Sequence, residues 1–174
     1  MKQELQDYIK NNFRFKFGVI QRITANSRFK IGDIIKGCLN GKEDKDKYLV
    51  TTLRFNGKRY KVFLHVMIFL LVNGYVPDRV DHKDNNTLNN HPDNLRACTH
   101  KENCANRKQV RKNNLTGYKG VSYHKSTGKY RATIYVDGKQ KHLGVFKCPK
   151  EAAKIYNKNA LTYFGEFARI NVID

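Results

Sequence analysis

Paired cysteines, acidic side chains and long apolar runs are all scarce in this chain, and each scarcity removes a class of protein. Cys38, Cys98, Cys104 and Cys148 are widely spaced with no Cys-x-x-Cys pair. Neither a zinc knuckle nor a disulfide framework is signalled, so reduced thiols and no structural zinc are expected. The opening Met1-Lys2-Gln3-Glu4 mixes acid with base and lacks an apolar segment, so no secretory signal and an intracellular location are expected. The one strongly apolar run, Val62 to Val72, is about half the length needed to span a bilayer and is interrupted by His65. It reads as a buried helix.

What is abundant is positive charge. Against 15 Asp and Glu stand 34 Lys and Arg, a formal charge of +19. Residues 1–107 hold 20 basic and 11 acidic side chains, residues 108–174 hold 14 and 4, so the shorter C-terminal part has the denser positive field. A polyanionic partner is expected. The basic residues are interleaved with strand-like alternation and aromatics, not laid along one face of a long amphipathic helix, which favours nucleic acid over a membrane surface.

At 174 residues the chain can build one sizeable core or two small ones. Tyr48 to Phe55 alternates, meets Asn56-Gly57 and continues as Lys58 to Val62, the pattern of a β-hairpin with a type I′ turn. The run Phe63 to Asn73 is apolar nearly all round and stops at Gly74, as a buried helix with a glycine C-cap does. Val80 to Cys98 is a polar loop rich in Asn and Asp, of a length that usually carries function. Thr99-His100-Lys101-Glu102 has the form of a capping box, so a helix should begin just before Asn103. Lys108 to Asn114 is strongly basic and marks a boundary, and Gly41 to Lys47 reads as an exposed charged turn. Beyond the boundary, Gly120 to His124, Lys129 to Val136 and Lys139 to Gly144 are three strands joined by hairpin turns. A helix follows from Pro149 to Phe164, with Ala153, Tyr156, Ala160 and Phe164 on one face and Gly165 as its stop. The fold class expected is α+β: residues 1–107, a basic linker at 108–116, and a unit over 117–174 in which a three-stranded antiparallel sheet packs on one helix.

The loop holds the chemistry. Val80-Asp81-His82-Lys83-Asp84-Asn85-Asn86, then Asn94-Leu95-Arg96, Thr99 and Asn103, supplies an adjacent Asp and His with amides behind them. In an extended segment Asp81 and His82 point to opposite sides, so one can hold a metal while the other takes a proton from water. A hard ion such as magnesium prefers oxygen ligands and often uses one or two protein groups, which Asp81 and Asn103 would provide. Asp, Asn and His are also ordinary turn residues, and a lone Asp-His pair would be a loop feature. Here the four positions come as an ordered set with a capping box between them.

That string closely resembles the HNH nucleases, in particular phage and intron-encoded homing endonucleases whose motif ends in Asn, over roughly Tyr48 to Arg107. The resemblance implies a ββα-metal nuclease domain that cuts double-stranded DNA with one divalent ion, Mg2+ or Mn2+. It implies His82 as general base, Asp81 and Asn103 as metal ligands, and Asn94 as the residue bracing the loop. It also implies action inside a cell, a bacterial cytoplasm for a phage-encoded protein. His65 also has a counterpart in that family but reads as a packing residue, and His91 is left open.

A second resemblance covers Gly117 to Asn171. Gly117-Tyr118-Lys119-Gly120-Val121, Tyr130-Arg131-Ala132, Leu143-Gly144-Val145-Phe146 and Glu151-Ala152-Ala153-Lys154-Ile155-Tyr156 resemble the plant ethylene-response-factor (Apetala-type) DNA-binding domain, which lays its sheet in the major groove. Strand parity places Val121, Tyr123, Tyr130, Ala132, Ile134 and Leu143 under the helix. Ser122, His124, Lys129, Arg131, Thr133, Tyr135, Gln140 and His142 then face outward. Lys119, Lys129 and Arg131 are the expected phosphate or guanine contacts, and Gln140 could read adenine. The expectation is a site-guided DNA endonuclease, nicking or cutting both strands and working as a monomer, with assembly of two copies as the alternative. The opposing expectation is a DNA-binding regulator or architectural protein with an inactive first domain. A third is an RNA-directed nuclease.

Overall fold

The first 98 residues form one compact unit and Thr99–Asp174 a second. The structure, a computed structural model, describes residues 1–40, 47–107 and 114–173. Most of the expected charged turn at 41–47 and of the linker at 108–116 falls outside the described residues. Among the described residues, the mixed α and β content is distributed over several small sheets and four α-helices.

The N-terminal unit begins with α1 (Gln3–Asn12), which buries only Leu5 and Ile9, one turn apart, followed by a hairpin of β1 (Phe13–Lys16) and β2 (Val19–Arg22). A three-stranded antiparallel sheet orders β3 (Cys38–Asn40), β4 (Tyr48–Phe55) and β5 (Lys58–Phe63). The turn between the last two holds Asn56 at φ 47° and Gly57 at φ 71°, the paired positive angles of a type I′ turn. The apolar run becomes α2 (Leu64–Asn73), and Gly74 at φ 81° closes it by donating its N–H to the Leu70 carbonyl. Ile9, Phe13, Met67 and Leu70 are fully buried, so α2 is the centre of this core. Truncating such a side chain costs about 2–5 kcal/mol.

The segment expected as one polar loop is partly sheet. β6 (Arg79–His82) pairs antiparallel with β7 (Leu95–Cys98), and a 3-10 turn over Pro92–Asn94 leads into β7. Leu95 and Cys98 are the buried residues of β7; its short apolar share is too small to read as a strand from periodicity.

The second unit contains α3 (His100–Asn106), β8 (Val121–His124), β9 (Lys129–Val136), β10 (Lys139–Phe146) and α4 (Pro149–Phe164). The sheet order is β10, β9, β8, all antiparallel. Sequence reasoning ended the first domain at 107, whereas α3 groups with the C-terminal unit. The reason is visible in two contacts: Lys101 bonds Asp137, and the Lys119 ammonium reaches the Ala105 and Arg107 carbonyls at the end of α3.

Val121, Ala132, Ile134 and Val136 are buried with Ala152, Ala153, Tyr156 and Ala160 of α4. Tyr123, expected under the helix, is instead 43% exposed at the edge strand against the Tyr130 ring. Gly120 sits at φ 75° where a Cβ would lie 2.1 Å from the Tyr156 ring, so close packing of α4 requires glycine there. Asn171 ties the C-terminal segment back, accepting from the Lys119 N–H at 2.6 Å and donating to the Lys119 carbonyl at 3.1 Å.

Candidate functional site

Asp81 and His82 are consecutive residues of β6 and both are buried, 6% and 4% exposed. Extended backbone sends their side chains to opposite sides of the strand. Asp81 lies opposite Arg96 in the ladder, and its Oδ2 accepts from Arg96 Nε at 3.0 Å and Nη2 at 2.9 Å. A buried carboxylate needs such a partner. His82 Nε2 lies 2.9 Å from Asn90 Oδ1. An amide oxygen accepts, so this contact takes a hydrogen on Nε2.

Aromatic rings shape the other side of His82. The His65 ring stands edge-on to it at 5.0 Å between centroids, and Tyr48 lies 6.2 Å away. Burial, with a smaller contribution from the neighbouring His82, lowers the His65 pKa to about 4, so His65 is neutral at physiological pH. Its Nδ1 is buried without a hydrogen-bond partner.

The loop between β6 and β7 is held by its own amides. Asn94 accepts from the Asp84 N–H at 3.1 Å and donates to Asp84 Oδ1 at 2.9 Å and to the Asn89 carbonyl at 2.8 Å. Asp84 also receives the Asn86 N–H and the Asn89 amide. Burial alone would raise the Asp84 pKa, but the donations from Asn89, Asn86 and Asn94, with a smaller electrostatic contribution from His82, outweigh it and hold the carboxyl below its ordinary value. His91 caps the 3-10 turn by accepting from the Asp93 N–H, which answers the question its sequence left open. The density of Asn and Asp thus builds a loop whose polar groups satisfy one another and whose rim positions His82.

Asn103 lies in α3, in the second unit, where its N–H donates to the Thr99 carbonyl. The capping box is complete: Thr99 accepts from the Glu102 N–H, and Glu102 accepts from the Thr99 N–H at 2.7 Å. Among the described residues, no group of three or more His, Cys, Asp or Glu gathers as a metal cage. The Asp81 carboxylate and the Asn103 amide carry oxygen, the donor type that a hard divalent ion takes.

On the sheet of the second unit, Ser122, Lys129, Tyr135, Gln140 and His142 are exposed, with His124, Arg131 and Thr133 half-buried on the same face. His124 is turned onto its own hairpin, within 3.0 Å of Ser126 Oγ. Lys119 departs from expectation. Its ammonium donates to the Ala105 carbonyl at 2.6 Å and the Arg107 carbonyl at 2.9 Å. Burial, then the nearby Arg169, lowers its pKa to about 8. A helix leaves its last carbonyls unsatisfied, and Lys119 answers them, which removes it from the exposed contacts.

Sequence reasoning also missed Val145. The β10 register slips between His142 and Gly144, so Leu143 is the extra residue of a bulge. Val145 then pairs with Arg131 and stands 47% exposed on the outward side.

Comparison with known proteins agrees with this geometry. Residues 62–105 match a family described as HNH endonuclease, a segment running from the end of β5 through β6 and β7 into α3. The chain is 35% identical over 119 residues to Protein 3.8 of Escherichia phage T7, covering 64% of this chain and 97% of that protein. It is 37% identical over 117 residues to an uncharacterized HNH endonuclease of Acanthamoeba polyphaga mimivirus, covering 66% of this chain and 59% of that protein. With that phage protein aligned over almost its full length and the family match enclosing the His82 loop, the chain belongs to the HNH endonuclease family.

Proposed function

We propose that this protein is a DNA endonuclease that hydrolyses phosphodiester bonds at a site built on Asp81, His82, Asn94 and Asn103. The observation that carries the reading is the 2.9 Å contact between His82 Nε2 and Asn90 Oδ1, which suits the tautomer with its basic lone pair on Nδ1. His82 takes the proton of the attacking water at that atom. Asn90 orients the ring, and Asn94 holds the loop so that neither drifts. Asp81 and Asn103 would be the oxygen donors for one divalent ion, Mg2+ or Mn2+. When bound, such an ion neutralises charge on the phosphate and stabilises the leaving oxygen. Arg96 keeps the Asp81 carboxylate in a fixed orientation for that task.

The sheet of the second unit is proposed as the duplex reader, in the manner of the ethylene-response-factor domains, with Lys129 and Arg131 on phosphate or guanine and Gln140 on a base edge. Ser122, His124, Thr133, Tyr135 and His142 complete the face, joined by Val145 and without Lys119. This division of labour, with a phage or mobile-element homing role, is our reading of the two resemblances together. The observation favouring a binding-only protein is the Asp81–Arg96 ion pair, an arrangement that would also serve structure alone. Supercoiled plasmid separates the two. We expect conversion to open-circle or linear product at low salt with Mg2+ or Mn2+, abolished by EDTA; retention of supercoiled DNA by protein that binds it would leave the regulator reading.

A further inference from the structure

Phe17 sits at the tip of the β1–β2 hairpin, 85% exposed. Its φ is 52°, and Gly18 follows at 76°. Two-residue hairpin turns with positive φ at both positions favour Asn, Asp or Gly, because a bulky side chain there crowds the backbone. No burial offsets that cost; the contact to the ring is the Lys16 ammonium, 4.7 Å from its centroid. The hairpin therefore holds an aromatic ring in water at a position where Asn would be more stable. Uncompensated backbone strain of this kind concentrates at functional sites.

The surroundings select the partner. Arg14 and Lys16 are exposed on one face of the hairpin, with Arg14 Nε bonded to Gln21 Oε1 across the ladder. Phe13, Ile20 and Arg22 are buried on the other face. Residues 13–36 hold six Lys and Arg against one acid, Asp33, whose carboxylate receives the Lys30 N–H. A single ring on a narrow turn, with the Lys16 ammonium over it and Arg14 exposed on the same hairpin, is too small and too charged to make the apolar centre of a protein interface. It fits a base step: proteins insert apolar side chains between bases or stack them on exposed bases while cations hold the phosphates.

We propose that the β1–β2 hairpin is a DNA contact in its own right, with Phe17 stacking on or wedging between bases and Arg14 and Lys16 on the flanking phosphates. This rests on the nucleic-acid reading above and adds a contact outside both the His82 loop and the outward sheet of the second unit.

The test exploits the absence of tryptophan from the chain. The full-length protein carrying Phe17→Trp is titrated with a mixed-sequence DNA duplex at low salt in EDTA, beside a control carrying Leu161→Trp at an exposed position of α4. The proposal expects emission quenched at saturation for F17W and unchanged for L161W. With a fluorescent duplex, Phe17→Asn should weaken binding by roughly 5- to 100-fold, the scale of losing one base–aromatic stack. The same variant should melt about 2–5 °C higher, because the turn is relieved. Unquenched F17W together with wild-type affinity of F17N would overturn the proposal. So would a loss of affinity accompanied by a fall in melting temperature, which reports misfolding. An altered elution volume of the free F17N protein with unchanged DNA affinity would make the ring a protein contact and overturn it too. Failure of the wild-type protein to bind duplex at all would instead remove the nucleic-acid reading on which it rests.

Discussion

His65 shows how burial beside a second imidazole changes the proton affinity of a histidine. It is 7% exposed, its pKa is about 4 against an ordinary 6.5, and it fills the space beside the His82 ring. Because the folded-state pKa is depressed, the folded protein resists the proton that the unfolded chain accepts. The stability linked to His65 is present above about pH 6.5 and is lost as pH falls from there through about 4. The amount is about 3 kcal/mol. Urea denaturation at neutral pH and at pH 4 should show His65→Phe losing less stability on acidification than the wild-type protein. Equal losses would mean that His65 is accessible to protons in the folded state. The sequence showed His65 as a histidine in an apolar helix and suggested packing; in the structure it is buried beside the Tyr48, Phe63 and His82 rings, with Nδ1 lacking a hydrogen-bond partner among the described residues. The bond from His82 to Asn90 was not legible, because the two lie eight positions apart and turn preferences do not specify which of several asparagines meets the ring.

At the level of elements, local signals were strong where a turn or cap demands a particular residue. Asn56-Gly57, Gly74 and the Thr99–Glu102 box each fall where φ or an unsatisfied backbone group requires them. Elements without such punctuation were missed: α1 buries two side chains only, and Phe17-Gly18 is not a residue pair that announces a turn. The β10 bulge was hidden for a related reason, since parity counting assumes an unbroken ladder and Leu143 interrupts it. Lys119 and Lys129 look alike in sequence, yet one closes α3 and the other is exposed on the sheet. Their truncations should separate accordingly. Lys119→Met is expected to lower stability by about 1–3 kcal/mol in urea while leaving the salt dependence of DNA binding unchanged. Lys129→Met is expected to leave stability intact and reduce the salt slope by about one unit. Equal salt slopes for Lys129→Met and the wild-type protein would take Lys129 off the phosphate backbone.

For the whole molecule, charge and motif act on different terms. The excess of 34 basic over 15 acidic residues supplies attraction to any polyanion and is sensitive to salt, but it cannot break a bond. The His82 loop could supply chemistry at any salt that allows binding. The chain divides into two compact units, one holding the loop from Asp81 to Asn94 and one holding Asn103 and the outward sheet. The most direct measurement is the single-turnover cleavage rate of His82→Ala on plasmid DNA, with Mg2+ and with protein in excess so that binding is saturated. The account predicts undiminished DNA affinity and a rate at least about 100-fold lower, the contribution of a positioned general base. Cleavage at the wild-type rate by that variant would contradict the account.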